Sequence, residues 1–163
     1  MSTPLRRPND ELGDSPMFCQ HYMVRSTPTV LDTATLAEAM AIMIKHHRQQ
    51  LLIVNAEREY VGEITTFTLA KLLLPKDADS EPSVEDAEIE TVVDVDDRIA
   101  PHLGRRVGEF AEHDLPIMNP KTPLVKAIKL LAGGKLRLPV VDPETNKFVG
   151  AISSLSVLRR YQF

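Results

Sequence analysis

One pattern occurs twice in this chain, 88 positions apart, and it restricts the fold more than any other feature. The clearer copy is Leu138 to Leu158, LPVVDPETNKFVGAISSLSVL. It reads as a buried strand, a polar turn, a second strand with a central glycine, and a helix that opens on serine. The other copy is Leu51 to Leu72, LLIVNAEREYVGEITTFTLAKL, with the same order of parts. An amphipathic helix precedes each copy. Its apolar stripe is Leu36, Ala39, Met40 and Met43 in the first and Leu124, Ala127, Ile128 and Leu131 in the second. Leu36 maps to Leu124, Ala39 to Ala127 and Gly62 to Gly150, each with a shift of 88. Leu51 maps to Leu138 with a shift of 87, so one residue is lost before the strand and regained in the turn. Two copies of so long a repeat do not make a solenoid. They predict a pseudo-twofold pair in which each unit covers the exposed sheet face of the other.

Local chemistry sets the elements. Leu51 to Val54 is an unbroken apolar run, which predicts a strand covered on both faces. Thr35 with Glu38 forms a capping box ahead of the first helix. Thr122-Pro123 predicts the start of its counterpart, with Thr122 as N-cap and proline at the first helical position. Gly133-Gly134 predicts its end. After the second strand of each copy, Thr65 to Leu74 and Ser153 to Arg159-Arg160 read as helices. Val107 to Ala111 corresponds to Cys19 to Met23, and Leu115-Pro116-Ile117-Met118 to Thr27-Pro28-Thr29-Val30.

These signals divide the chain into a flexible arm over 1–16, a first unit over 17–75, an acidic linker over 76–106 and a second unit over 107–163. The linker has room for a short helix over 91–103, ending near Gly104. A linker of this composition does not bury a core.

Totals exclude several functions. The net charge is −4, so no global basic field awaits nucleic acid. There is no tryptophan and aromatic residues make up 5%, too few for a base-stacking surface. No apolar run approaches the roughly 18 residues of a membrane span. The N-terminus has no hydrophobic segment of a secretion signal, and the single Cys19 has no partner for an internal disulfide. The expected location is the cytoplasm. Cys19 also has no evident base beside it and reads as a small core residue. Among His21, His46, His47, His102 and His113 no metal-ligand spacing occurs. Gly133-Gly134-Lys135 lacks the spaced glycines of a phosphate loop. No nucleophile, base or metal constellation is visible, so no catalytic residue is assigned and no enzyme is expected.

Each unit resembles a cystathionine-β-synthase (CBS) domain, and the tandem resembles a Bateman module. Four features carry the resemblance: the proline-containing approach segments TPTVLDTATL and LPIMNPKTPL, the Leu-x-x-Ala stripe, the strands LLIVN and LPVVD, and V-G-x-I-[T/S] as VGEIT and VGAIS. It covers about residues 17–74 and 107–163. The resemblance implies an α/β (α+β) fold of two β-α-β-β-α units, with small sheets packed together and helices outside. It also implies a regulatory sensor that needs no cofactor. Such a sensor takes AMP, ADP, ATP or S-adenosylmethionine in a cleft between the repeats, pairs into a homodimer and modulates a partner protein.

Carried onto this chain, the resemblance places adenine against Thr29-Val30 or Ile117-Met118, and ribose or phosphate on Thr65 or Ser153. Arg48 and Arg137 are the best placed cations for a phosphate. Where the family has a ribose-holding aspartate, this chain has Thr68 and Ser156. A neutral hydroxyl holds ribose less well than a carboxylate, by about tenfold. That substitution motivates an alternative, a dimerisation or interaction scaffold with degenerate ligand sites.

Overall fold

The computed structural model describes residues 15–75 and 89–161. The expected arm, apart from Ser15 and Pro16, and the acidic stretch 76–88 lie outside the described residues. Unit one contains β1 (Thr29–Leu31), α1 (Leu36–Lys45), β2 (Gln50–Val54), β3 (Tyr60–Thr65) and α2 (Thr66–Leu72). Its sheet has the order β1-β2-β3, with β1 parallel and β3 antiparallel to β2. Helix α3 (Val92–Ile99) follows, capped by Thr91 with Asp94, and runs into a 3-10 turn at Ala100–His102. Unit two contains α4 (Leu124–Ala132), β4 (Arg137–Val141), β5 (Phe148–Ser153) and α5 (Ser154–Leu158), with β4 and β5 antiparallel. Two repeated units of mixed α+β structure are thus present, as the sequence pattern implies. No helix among the described residues is long and apolar enough to cross a membrane.

Unit two departs from unit one in its first strand. The counterpart of β1 shrinks to one parallel bridge between Met118 and Val140. Met118 N–H donates to Pro139 O at 2.9 Å, and Val141 N–H donates to Met118 O at 2.8 Å. Pro116 and Pro120 flank this bridge and lack N–H donors, and Pro139 removes another from β4, so the ladder cannot extend.

The strand β2 joins two hydrophobic cores. Leu51 and Ile53 pack with Val30, Leu36, Ala39, Met43 and Ile64 of their own unit. Leu52 and Val54 point the other way, into the core of unit two with Leu138, Val140 and Ile152. Successive side chains of a strand face opposite sides, so an unbroken apolar run serves both cores. Each fully buried leucine or isoleucine contributes about 1.5–3 kcal/mol.

The segment leading into each unit crosses to the other. Cys19–His21 forms a 3-10 turn that packs on unit two, with Cys19 N–H donating to Thr122 O at 2.9 Å and Leu124 N–H donating to Met17 O at 2.9 Å. Val107–Phe110 forms the equivalent turn on unit one, with Val107 N–H donating to Ala34 O at 2.7 Å and Leu36 N–H donating to Arg105 O at 2.9 Å. The same bonds recur at a shift of 88, which gives the pseudo-twofold a concrete form. Farther along, Val24 exchanges backbone hydrogen bonds with Ala151 of β5, and Glu112 exchanges them with Glu63 of β3.

Some local expectations need correction. Thr122 is not the N-cap of α4: Pro123 holds that position without a side-chain bond, while buried Thr122 Oγ1 accepts from Asn119 N–H at 2.9 Å. Proline already brings a fixed φ and no N–H, so the first turn needs less capping. The stripe on α4 is narrower than its sequence suggests, since Ile128 is 42% exposed. Helix α2 stops at Leu72 and α5 at Leu158, earlier than the sequence pattern predicts. The capping box at α1 matches, with Glu38 N–H donating to Thr35 Oγ1 at 3.1 Å and Thr35 N–H donating to Glu38 Oε2 at 2.8 Å.

The glycine of V-G-x-I now has a physical reason. A Cβ at Gly150 would sit 2.9 Å from Val24 O, and one at Gly62 would sit 2.6 Å from Glu112 O. Both obstacles are backbone of a crossing segment. Gly150→Ala and Gly62→Ala should each destabilise the protein by about 1–3 kcal/mol, the usual range for overpacking, read as a lower denaturation midpoint in urea.

Candidate functional site

The antiparallel pairs β2–β3 and β4–β5 bring their ends together at the pseudo-twofold. Gln50 opens β2 opposite Thr65, and Arg137 opens β4 opposite Ser153. Gln50 Nε2 donates to Arg137 O at 3.2 Å and ties the two strand starts. Beside this junction lies an open cleft of about 600 Å³. Val24 and Thr27 of the first approach segment form part of its wall, with Arg48 and Gln50 from unit one and Arg137 and Ser153 from unit two. Its remaining charged or titratable side chains are His46, His47, Lys135 and Arg159, and no aspartate or glutamate among the described residues lines it.

Arg137 is half-buried there, and burial together with neighbouring Arg48 pushes its pKa down to about 10. The ion pairs of the described residues are Arg98–Glu90 and Arg105–Glu109, and neither includes a cation of the cleft. A guanidinium held partly out of water beside a like charge costs stability unless an anion completes it. Ser153 caps α5, its Oγ accepting from Ser156 N–H at 3.2 Å. The proton of the Ser153 hydroxyl has no acceptor among the described residues. The arrangement can hold an anion between two guanidinium groups and a hydroxyl donor.

The pseudo-equivalent place beside β3 has the opposite character. Where the basic side pairs Val24 with Ala151, the other side pairs Glu112 with Glu63, and Gln50 reaches across to it from the cleft wall. Gln50 Nε2 donates to Glu63 Oε2 at 2.5 Å, and Thr68 Oγ1 donates to Glu112 Oε1. Burial pushes the Glu63 carboxyl up, Glu112 and Asp114 add to that rise, and the Gln50 bond and Lys135 oppose it. Directly opposed like charges on neighbouring strands are unfavourable. This side repels anions, and its threonine is already engaged.

Of the residues the sequence singled out, the structure brings Arg48, Arg137 and Ser153 together in the basic cleft. Thr65 and Thr68 lie on the acidic side, where Thr65 caps α2 by accepting from Thr68 N–H at 3.3 Å. Ser156 is buried beneath the α5 turn; its Oγ accepts from Ser153 N–H and donates to Ser153 O. Thr29, Val30, Ile117 and Met118 do not line the basic cleft. Val30 and Met118 are buried in the two cores, and Ile117 is 55% exposed. The residues that take their place at the wall are Val24 and Thr27, a few positions upstream. Gln50, Glu63 and Glu112 also escaped the sequence reading. The signal that could have found Val24 and Glu112 is the glycine at 150 and 62, since a glycine inside a strand marks a close backbone approach.

Comparison with known proteins decides the family. The CBS domain model matches residues 19–75 and 107–162. The chain belongs to the CBS-domain family. No curated protein matches it. Among solved structures, this CBS pair is similar to a hypothetical conserved protein from Geobacillus kaustophilus, with TM-score 0.69 and 14% identity over 89% of this chain and 96% of that one. It is also similar to CBSX2 in complex with AMP (TM-score 0.63, 19% identity, 87% and 93% covered). A third is CbpB in complex with c-di-AMP (TM-score 0.64, 16% identity, 88% and 83% covered). At these identities the likeness establishes the fold.

The acidic side of this CBS pair yields a pH prediction. Glu63 has a raised pKa in the folded state, so its neutral form favours folding. That contribution is full below the unfolded pKa near 4.5 and is lost as pH rises through the folded value. Glu63→Gln keeps an acceptor for Gln50 and removes the charge. Its Tm should exceed that of the wild type at pH 7, and the gain should vanish below about pH 4.5, measured by thermal denaturation across pH.

Proposed function

We propose that this CBS pair is a regulatory ligand sensor that binds an adenine nucleotide or related adenosyl compound in the basic cleft between its repeats. The observation that carries this reading is Arg137: half-buried, next to Arg48, with no counter-ion among the described residues. A phosphate between the two guanidinium groups would satisfy both, with the Ser153 hydroxyl as a further donor. Val24 and Thr27 would stand against the base. The AMP and c-di-AMP complexes of CBSX2 and CbpB support the choice of an adenine ligand. Nothing in the cleft suggests chemistry, so the output is a change of shape or dynamics passed to a partner protein in the cytoplasm.

We also read the protein as a homodimer. Phe67 of α2 and Leu155 of α5 occupy equivalent positions of the two units and are 63% and 66% exposed, with Leu158 at 54% beside the latter. Apolar side chains placed symmetrically on two outer helices suit a pairing face.

Calorimetry with AMP, ADP, ATP and S-adenosylmethionine tests the ligand reading. At least one should bind, and silence from all four at millimolar concentration would refute it. Arg137→Met should weaken binding by about tenfold or more. The same substitution should raise the Tm of the ligand-free protein, because it removes an uncompensated partly buried charge.

One observation favours the scaffold alternative. Ser156 spends its hydroxyl inside the α5 turn and Thr68 spends its own on Glu112, so neither is free to hold ribose. Ser156→Asp and Thr68→Asp separate the readings. A sensor should bind its ligand in wild-type form within about tenfold of either variant, whereas a decayed site would bind only after the carboxylate is introduced.

A further inference from the structure

The two pseudo-equivalent sides of the repeat interface have been sorted by charge. The basic cleft presents Arg48, Lys135, Arg137 and Arg159, with His46 and His47 at the end of α1, and among the described residues no carboxylate lines it. Its counterpart presents Glu63 and Glu112 in directly paired backbone positions, with Asp114 near enough to act on Glu63. Two substitutions between the copies carry much of the difference, Ala151 against Glu63 and Val24 against Glu112, while Gln50, the counterpart of Arg137, reaches from the cleft wall to Glu63. A symmetric duplication would offer two like sites. This chain offers one positive cleft and one negative face whose polar groups are already paired with each other through Thr68 and Gln50.

We propose that the chain takes a single polyanionic ligand, one that carries two or more linked phosphates, in the basic cleft, and that the acidic face takes no anion. This deepens the sensor reading and rests on it. Glu63 already draws on Lys135, whereas Arg48, Arg137 and Arg159 have no ion-pair partner among the described residues, and one phosphate neutralises these cations only in part. Each further phosphate reaches cations that the first leaves bare, so affinity rises with ligand charge. S-adenosylmethionine carries a positive sulfonium and is repelled by the same groups. Selectivity of this kind falls with added salt, because open, solvated charges are screened. The adenosine part would then add binding but would not be the main discriminator.

The test is isothermal titration of the full chain with AMP, ADP, ATP, S-adenosylmethionine and inorganic triphosphate, at low and at physiological salt. The expected result is one ligand per chain and affinity rising from AMP to ATP by about tenfold or more. Inorganic triphosphate should compete with ATP, S-adenosylmethionine should give no heat, and the series should flatten at high salt. Arg48→Met should reduce the ATP preference, while Glu112→Gln should leave ATP binding unchanged. AMP binding as tightly as ATP, or two nucleotides per chain, would overturn the inference and leave the sensor reading standing. Triphosphate binding with no nucleotide bound would support charge selection and defeat the adenine reading. Silence from every probe would overturn both.

Discussion

Everything in this fold depends on β2 being buried on both faces. Leu51 and Ile53 belong to one core, Leu52 and Val54 to the other, so neither unit closes its core without that strand. A polar side chain at any of these four positions would lose burial and strand a hydrogen-bonding group in an apolar core. The two units are therefore coupled through a shared hydrophobic wall, and the start of that wall, at Gln50, is where the basic cleft begins. Rigid placement of Gln50 beside Arg137 follows from the register of two short sheets.

The crossing segments complete the interface. Each lies across the glycine of the other unit's last strand, with backbone close enough to exclude a methyl group. This exchange brings Val24 beside β5 and Glu112 beside β3. The residue that each segment delivers decides the character of its side. A valine leaves the basic cleft open, while a glutamate meets Thr68 and the charge of Glu63. Duplication supplied two equivalent frames, and a few substitutions made one of them electropositive and the other electronegative. A partly buried Arg137 without an ion-pair partner among the described residues costs stability, and that cost is what a bound anion would relieve.

Much of the fold was legible because periodicity reports burial directly. The both-face run of β2, the stripe of α1 and the capping box at Thr35 are local statements, and local structure agrees with them. The misreadings are also physical. Thr122 looked like a cap because threonine before proline usually is one, but a neighbouring backbone N–H competed for its hydroxyl. The strand expected around Ile117 became a single bridge because prolines around it removed donors that a ladder needs. Ile128 sat in the right phase for the stripe, but a narrower contact left it at the surface. Arg48 and Arg137 were singled out by their positions before strands and Ser153 by resemblance, and all three line the basic cleft. Thr29, Val30, Ile117 and Met118 were carried to the cleft only by resemblance, and packing turned Val30 and Met118 into their cores.

By itself the sequence determined that one unit occurs twice, that its central strand is covered on both faces and that hydroxyl-bearing residues open the last helices. These depend on periods of two and 3.6 and on short-range hydrogen bonds, all carried by neighbours in the chain. Only the tertiary structure decided that the leading segments exchange between units, that Val24 rather than Val30 lines the cleft, and that the two pseudo-equivalent sides differ in charge. Those outcomes depend on which residues far apart in the chain meet. Glu112 against Glu63, or Arg137 against Arg48, has an electrostatic meaning only once folding has placed them within reach of each other's charge in a partly dehydrated site.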